Sequence, residues 1–221
     1  MFDITKLALK IPNFLTNKEC NELINEFEQR NDEIHKEVSR NYHTDNIEES
    51  SFDVIPLNPI TPNFNLIKEK TKLAVNEYTE YLSKPNYFFT SLLKQNLLFS
   101  HSYRIMKYKE GASIHAHSDY EPYTYASVTF NLNEDYKGGE FKFFNGNYTV
   151  PLKKGDALIF PADYFWIHEV TPVIKGNRYS INSFIRSYPE IVCKNLQTLQ
   201  RALANDYINH VSKDELLGPY N

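Results

Sequence analysis

Two histidines and one aspartate in the second half of the chain have the types and spacing of a metal centre. His117 and Asp119 stand two residues apart, and side chains at i and i+2 of an extended strand point to the same side. His168 follows later in the chain. Two imidazoles and one carboxylate form the facial triad that holds Fe(II) and leaves coordination positions open. The three residues therefore predict a non-haem iron site.

A second pair predicts an anion site close to the metal. Arg178 and Ser180 follow ten and twelve residues after His168, and on a strand they share one face. A guanidinium group binds a carboxylate through two parallel hydrogen bonds, and a neighbouring hydroxyl adds a donor. The pair therefore indicates a ligand that carries a carboxylate.

A rival ligand set remains open at this point. His115 lies two residues before His117 and could share its face, so His115, His117 and Asp119 are an alternative to the triad. A lone His-x-Asp pair is also frequent by chance. The joint occurrence of the triad and the Arg178 pair is what indicates function.

Composition limits the class of protein that must hold these residues. The chain has 221 residues, 41% of them hydrophobic, and a formal net charge of −4. That length suits one domain with a substantial core. The charge balance argues against a dedicated nucleic-acid binder, and no apolar run is long enough for a membrane span. The 16 tyrosines and 15 phenylalanines beside only 7 glycines favour β-structure.

Cysteine usage and the N-terminus bear on location. Cys20 and Cys193 cannot build a disulfide framework, which favours a reducing compartment. The first six residues lack the apolar core of a signal peptide. We therefore expect a cytoplasmic protein.

The first part of the chain predicts two helices. Residues 7–12 read as a strand or extended lead-in. Thr16 and Glu19 form a capping box that opens a helix reaching about Arg30. Its apolar face is predicted to contain Cys20, Leu23, Ile24 and Phe27. A second helix is predicted over 64–82. Residues 31–61 between the two helices are dominated by Asn, Asp, Glu, Ser and His and show little periodicity.

Two segments are candidates for contact with a substrate. Residues 40–58 are long, polar and aperiodic, which is typical of a lid or binding loop. Tyr120, Tyr123 and Tyr125 follow Asp119 closely and form either a substrate wall or ordinary loop packing.

From residue 97 the hydrophobic period changes from that of a helix towards that of a strand. Asn145-Gly146 between apolar flanks predicts a tight hairpin. The predicted strands are 97–108, 113–117, 125–132, 139–144, 148–151, 157–160, 166–171 and 178–186. Short strands at this spacing predict a mainly β fold with flanking α-helices, a double-stranded β-helix (jelly roll).

The predicted organisation is one domain over residues 1–221. Residues 1–96 form a helical flank that includes the candidate lid, and residues 97–186 form the jelly-roll core. Residues 187–221 are predicted to add a C-terminal helix, with helical spacing over 191–211.

The β region resembles the Fe(II)/2-oxoglutarate-dependent dioxygenases, and most of all their prolyl 4-hydroxylase branch. About 90 residues carry the resemblance, with a looser similarity in the flank at 11–15. The matching stretches are 103–111, 115–119, 128–133, 138–141, 154–160, 168–173 and 176–180.

The resemblance implies roles for individual residues. His117, Asp119 and His168 would bind the iron, and Arg178 would pair with the distal carboxylate of 2-oxoglutarate. Ser180 is a second donor, and Tyr108 lies where the family often places a hydroxyl near this co-substrate. Asn131 occupies a position where some relatives have a tyrosine that contacts the same carboxylate. The collagen-modifying prolyl hydroxylases carry lysine in place of Arg178.

The implied function is an oxygenase that hydroxylates a substrate C–H with Fe(II), O2 and 2-oxoglutarate and releases succinate and CO2. A peptidyl proline is the leading substrate, with other protein side chains or a small molecule as alternatives. Ascorbate is expected from the family resemblance. The rival functions are a cupin-like metal-dependent isomerase or hydrolase and a non-catalytic jelly-roll binding module.

Overall fold

A computed structural model describes residues 3–40, 44, 46–84, 90–187 and 215–216. Its helices are α1 Asn17–Gln29, α2 Phe64–Ser83 and α3 Thr90–Asn96, with 3-10 turns at Ile4–Leu7 and Asn31–Glu33. Its strands are β1 Leu9–Ile11, β2 Val38–Arg40, β3 Ile47–Glu49, β4 Asp53–Pro56, β5 Phe99–Tyr108, β6 Ile114–His117, β7 Thr124–Asn131, β8 Lys137–Gly138, β9 Phe141–Phe143, β10 Tyr148–Val150, β11 Ala157–Pro161, β12 His168–Val170, β13 Val173–Lys175, β14 Arg178–Arg186 and β15 Glu215–Leu216.

Two antiparallel sheets form the core, as the sequence predicts. The main sheet has the order β1-β11-β7-β14-β5, and β4 and β15 also pair with β5. The smaller sheet has the order β10-β9-β12-β6. Residues of both sheets, such as Phe160 of β11 and Phe143 of β9, belong to one buried cluster between them. This interior is the barrel of the jelly roll.

The helices cover the other side of the main sheet. Leu23 and Phe27 of α1 and Ile67 and Val75 of α2 are buried in a second cluster that includes the outward side chains of β7 and β14. The predicted capping box is present, because Glu19 N donates to Thr16 Oγ1 at 3.2 Å and Thr16 N donates to Glu19 Oε2 at 2.7 Å. Burial raises the pKa of the Cys20 thiol to about 11, as suits a small core residue.

Hydrogen bonds connect the N-terminal flank to the barrel at the turn that contains Gly155. Phe14 N and Leu15 N both donate to the carbonyl oxygen of Gly155, and Asn13 N donates to Asp156 Oδ1 at 3.1 Å. Gly155 has φ +82°, and a Cβ there would lie 2.4 Å from Leu15 O. Only glycine fits this contact.

Residues 31–61 contain more structure than their sequence indicates. Residues 53–56 form β4, which pairs with β5 along the main sheet, with Val54 and Ile55 buried. The expectation of an aperiodic loop is therefore wrong for these four residues, and also for β2 and β3, which pair with each other in the same segment. Pro56 argues against a strand in the sequence, but a proline is tolerated at the end of an edge strand.

The remaining predictions for the outer parts differ in status. The Asn145-Gly146 hairpin is confirmed, since β9 pairs with β10 and both residues have positive φ. The predicted helix at 191–211 lies outside the described residues. Among the described residues, no helix is both long enough and apolar enough to cross a membrane.

Candidate active site

The sheet register brings the two histidines of the predicted triad together. His117 ends β6 and His168 begins β12, and the two are direct partners in the smaller sheet. Asp119 follows two residues after β6, with Oδ1 3.4 Å from His117 Nε2 and Oδ2 3.5 Å from His168 Nε2. The three ligand atoms lie within 4.8 Å of one another.

Hydrogen bonds fix the orientation of both imidazoles. His117 Nδ1 lies 2.9 Å from the carbonyl oxygen of His115, and His168 Nδ1 lies 3.0 Å from that of Trp166. A carbonyl oxygen only accepts, so each Nδ1 carries the proton and each Nε2 presents a lone pair to the centre of the cluster. This is the arrangement that metal-binding histidines adopt.

Aromatic side chains hold His168 in the barrel. Its ring stacks on Phe141 at a centroid distance of 5.3 Å and an angle of 9°, and it meets Phe160 edge to face at 4.9 Å. His168 is only 4% exposed. A ligand packed on two sides keeps its direction without the metal, so the site is preorganised.

The electrostatics of the cluster suit a cation. Burial lowers the pKa of His168 to about 4, which keeps the ring neutral. Burial alone would raise the pKa of Asp119, but the two imidazoles and the Ser127 hydroxyl outweigh it and hold the pKa below its usual range. Burial opposes the charged form of His117 too, yet Asp119 outweighs it and raises the pKa of this imidazole. A metal ion at the centre of the cluster would compete with a proton for the lone pair on His117 Nε2.

The donor set fits the Fe(II) that the sequence predicts. Two imidazole nitrogens and one carboxylate oxygen lie within 4.8 Å of one another, and Fe(II) held by such a ligand set keeps coordination positions for further ligands. Among the described residues, the cluster that could hold an ion consists of His117, Asp119 and His168. His115 is not part of it, which disfavours the rival ligand set.

Arg178 lies inside the barrel on the main sheet. It is 1% exposed, its Nη1 donates to Ser180 Oγ at 3.0 Å, and its Nε has no hydrogen-bond partner. Within the described part of the chain, its guanidinium forms no ion pair with an aspartate or glutamate. A buried cation without a counter-ion is costly unless an anion accompanies it. The buried site at Arg178 and Ser180, here called the anion pocket, therefore favours a carboxylate ligand.

Gly139 makes room for this arginine, and the preceding Gly138 makes room for Pro172 and Ile174. A Cβ at Gly139 would lie 2.9 Å from Arg178 Cδ, and a Cβ at Gly138 would lie 2.3 Å from Pro172 O. Both glycines have positive φ. At Gly139 the backbone thus approaches Arg178 closely.

The structure places Tyr108 beside Arg178 and Asn131 opposite Ser180. The Tyr108 ring lies 5.1 Å from the Arg178 guanidinium carbon, and Phe52 stacks on the same ring. Burial raises the pKa of Tyr108 to about 12. Asn131 is fully buried opposite Ser180, and its amide is used within the protein. The roles of both towards a co-substrate stay predictions.

Sequence reasoning missed two residues of the site. Ser127 Oγ donates to Asp119 Oδ2 at 2.6 Å, and Tyr136 donates to Asn131 Oδ1 at 3.2 Å. Ser127 could have been found, because small polar residues alternate with apolar ones along β7. Tyr136 precedes β8, which the sequence did not predict.

The mouth of the barrel carries a charged pair and exposed aromatic rings. Arg104 of β5 contacts Glu37, which precedes β2, with Nε and Oε1 2.9 Å apart. The three tyrosines after Asp119 are exposed, and Tyr120 contacts Tyr164 of the neighbouring loop edge to face. Ser118 Oγ donates to Asp163 O at 3.1 Å, so the two loops form one rim.

Sequence comparison identifies the family of this segment. Residues 103–186 match the model of the 2OG-Fe(II) oxygenase superfamily. Procollagen-lysine,2-oxoglutarate 5-dioxygenase 1 of Rattus norvegicus is 27% identical over 172 residues, 75% of this chain and 22% of the relative. A PKHD-type hydroxylase of Beijerinckia indica is 35% identical over 95 residues, 40% of this chain and 41% of the relative. The chain thus spans about a fifth of the length of the first relative.

Structure comparison supports the same architecture. The viral collagen prolyl hydroxylase vCPH of Paramecium Bursaria Chlorella virus-1, in its 2OG complex, superposes with a TM-score of 0.60 at 19% identity. The match covers 83% of this chain and 97% of that one. At this identity the likeness concerns the fold, and it confirms the predicted jelly roll.

Proposed function

We propose that this chain is a 2OG-Fe(II) oxygenase that hydroxylates a substrate C–H with Fe(II), O2 and 2-oxoglutarate and releases succinate and CO2. The match of residues 103–186 to the family model and the similarity to a PKHD-type hydroxylase support this proposal. His117, Asp119 and His168 would hold the metal, which supplies the oxidising chemistry when bound. The residues of the chain bind and orient the reactants and keep water out of the barrel.

The observation that carries this proposal is the buried Arg178. The rival metal-dependent isomerase or hydrolase needs only the triad, and a binding module needs neither feature. A fully buried guanidinium without an acidic partner in the described residues favours an anionic ligand. A keto acid with a distal carboxylate binds metal at one end and Arg178 at the other. Tyr108 and Ser180 line the same pocket.

We propose a protein side chain as the substrate, with peptidyl proline first. The names of the relatives state procollagen lysine and collagen as substrates of those proteins. The exposed rim of Tyr120, Tyr123 and Tyr164 beside Asp119 suits a peptide that lies across the mouth. Ascorbate would keep the iron reduced, and a reducing, cytoplasmic location fits the buried free Cys20.

An anaerobic titration tests the cofactor assignment. Fe(II) and then 2-oxoglutarate are added to metal-free protein while visible absorption is followed. We expect a weak charge-transfer band in the green that is absent in Asp119→Ala and His168→Ala. In Arg178→Met the band should need about 100-fold more 2-oxoglutarate, since a buried charge-assisted pair is lost. Iron binding without a band in the wild-type protein would contradict the proposal.

Turnover then tests the substrate. Succinate release is measured with proline-rich and lysine-containing peptides, and the peptide product is examined by mass spectrometry for one added oxygen atom. Stimulation by proline peptides alone supports peptidyl proline. Stimulation by lysine peptides alone would replace proline by lysine within the same reaction.

A further inference from the structure

Tyr136 occupies the barrel interior beside the anion pocket. Its side chain is partly buried and packs against the interior cluster between the sheets. A Cβ on Gly139 would lie 3.2 Å from Tyr136 Cε2 and 2.9 Å from Arg178 Cδ. The tyrosine and the arginine therefore flank the same glycine. The Tyr136 hydroxyl reaches Asn131, whose direct partner on β14 is Ser180.

Asn131 has no donor to offer a ligand in this arrangement. Its Nδ2 donates to Asn133 O at 2.7 Å and faces Leu152 O at 3.5 Å. These contacts fix the orientation of the amide, so Oδ1 is the atom that faces Tyr136. A carbonyl oxygen next to a carboxylate would repel it, and the side chain is fully buried. Asn131 therefore cannot donate a hydrogen bond to the ligand carboxylate, as a tyrosine at this position would.

We propose that Tyr136 supplies the second donor to the distal carboxylate of the co-substrate, in place of residue 131. This inference rests on the proposed function, because it concerns the anion that Arg178 binds. Arg178 serves one carboxylate oxygen with its guanidinium, and the Tyr136 hydroxyl serves the other. Asn131 is then a positioning residue, which holds the hydroxyl at the pocket until the anion arrives.

The geometry favours a hydroxyl that can change its acceptor. The bond from Tyr136 to Asn131 is 3.2 Å long, whereas well-formed bonds between a hydroxyl and an oxygen cluster near 2.7–2.8 Å. A hydrogen bond to a carboxylate is about twice as strong as one to a neutral amide. Rotation about the C–O bond redirects the proton without moving the ring. The ionised ligand therefore outcompetes the amide.

The test compares Tyr136→Phe with Tyr148→Phe. Tyr148 is also partly buried against the interior cluster, on the smaller sheet, and so controls for loss of a hydroxyl from a packed ring. Affinity is measured by the anaerobic charge-transfer titration with 2-oxoglutarate and with 2-oxovalerate, which lacks the distal carboxylate. We expect Tyr136→Phe to weaken 2-oxoglutarate about 10-fold and to leave 2-oxovalerate and Fe(II) alone unchanged. Tyr148→Phe should leave all three unchanged.

Several results would overturn the inference. Equal 2-oxoglutarate affinity in both variants, or an equal loss for both keto acids, excludes a contact between Tyr136 and the distal carboxylate. A double variant gives a second test: because Asn131 acts only through the Tyr136 hydroxyl, Asn131→Ala combined with Tyr136→Phe should bind 2-oxoglutarate within about three-fold of Tyr136→Phe alone. A further loss of about 10-fold in the double variant would return the role to Asn131. If wild-type protein binds no 2-oxoglutarate at all, the proposed function itself fails.

Discussion

On strand β7 the side chains that face the helices are apolar, whereas those that face the barrel are polar. The first set packs with α1 and α2, and the second set surrounds the candidate site. The outward residues are Ala126, Val128 and Phe130, followed by Leu132 just after the strand, and the inward residues are Ser127, Thr129 and Asn131. All seven are buried. The two faces of this one strand are thus both buried, but one is apolar and the other is polar.

The neighbouring strand β14 repeats this division. Tyr179 and Ile181 belong to the helix-covered core, whereas Arg178 and Ser180 face the barrel. Apolar burial stabilises the fold, while burial of polar groups costs free energy unless each group is bonded. We infer that the helix-covered faces of these two strands contribute most to the free energy of unfolding. Their polar barrel faces contribute less, because their side chains serve binding.

The largest effect that separates the two faces is expected at Phe130. This ring is fully buried and stacks on Phe14 at 6.0 Å. Phe130→Ala should lower the free energy of unfolding by about 3–5 kcal/mol, measured by urea denaturation, with Phe130→Leu as the milder control. Protein that remains folded should bind 2-oxoglutarate within about two-fold of wild type. A loss of affinity as large as the loss of stability would show that the faces are not independent.

The same division explains which parts could be predicted. Most strands from 97 to 186 follow from alternation and turn residues, but the short strands β8 and β13 were not predicted. The triad and Arg178 follow from residue types at fixed spacing. A role for Ser127 could also have been predicted, since a polar residue inside a buried strand must have a hydrogen-bond partner. What the alternation cannot supply is the identity of that partner.

Other features required the folded chain. β4 ends in Pro56 within a polar segment, and its pairing with β5 is a long-range contact that no local pattern reveals. The relation of Asn131 to Tyr136 depends on a turn and on the close approach at Gly139. Local periodicity reports which face a residue occupies, but it does not report which side chains meet across a loop.

A prediction on the barrel face concerns Ser127. Its hydroxyl donates to Asp119 and so holds the carboxylate in its direction. Ser127→Ala should weaken Fe(II) binding about 10-fold to 100-fold, as loss of the partner of a metal ligand does. The control is Ser183→Ala, because Ser183 is equally buried but faces α2 through Thr71. Equal Fe(II) affinities in the two variants, measured by competition with a chelator, would contradict the assignment.

A smaller effect is expected at the mouth, where neither interior is involved. Within the candidate lid 40–58, Ile47 of β3 is 68% exposed, and the Glu37–Arg104 pair places the base of this hairpin against β5. Ile47→Ser should raise the KM for a peptide substrate about three-fold and leave 2-oxoglutarate turnover without peptide unchanged. Ile60→Ser, at a site 93% exposed outside the segment, is the control. If both variants raise KM equally, the hairpin has no specific contact with substrate.

The smallest effect is expected on the helix-covered face, at its charged edge. Glu28 of α1 accepts from Lys107 Nζ and from Tyr179 Oη, both at 2.7 Å. Burial opposes ionisation, but these two bonds outweigh it and lower the pKa of Glu28. Because the folded pKa is depressed, the stabilisation is present above the unfolded pKa of about 4.3 and is lost as pH falls through the folded value.

Glu28→Gln should therefore cost about 0.2–1 kcal/mol of unfolding free energy at pH 7, and the difference from wild type should shrink below about pH 4. Urea denaturation at both pH values measures it. Glu22→Gln, where the Lys18 contact is longer at 3.8 Å and more exposed, is the matched control and should change less. The Fe(II) affinity of Glu28→Gln should equal that of wild type, because this cluster lies on the opposite face of the sheet from the triad. A change in metal affinity with unchanged stability would instead link the two faces through β14.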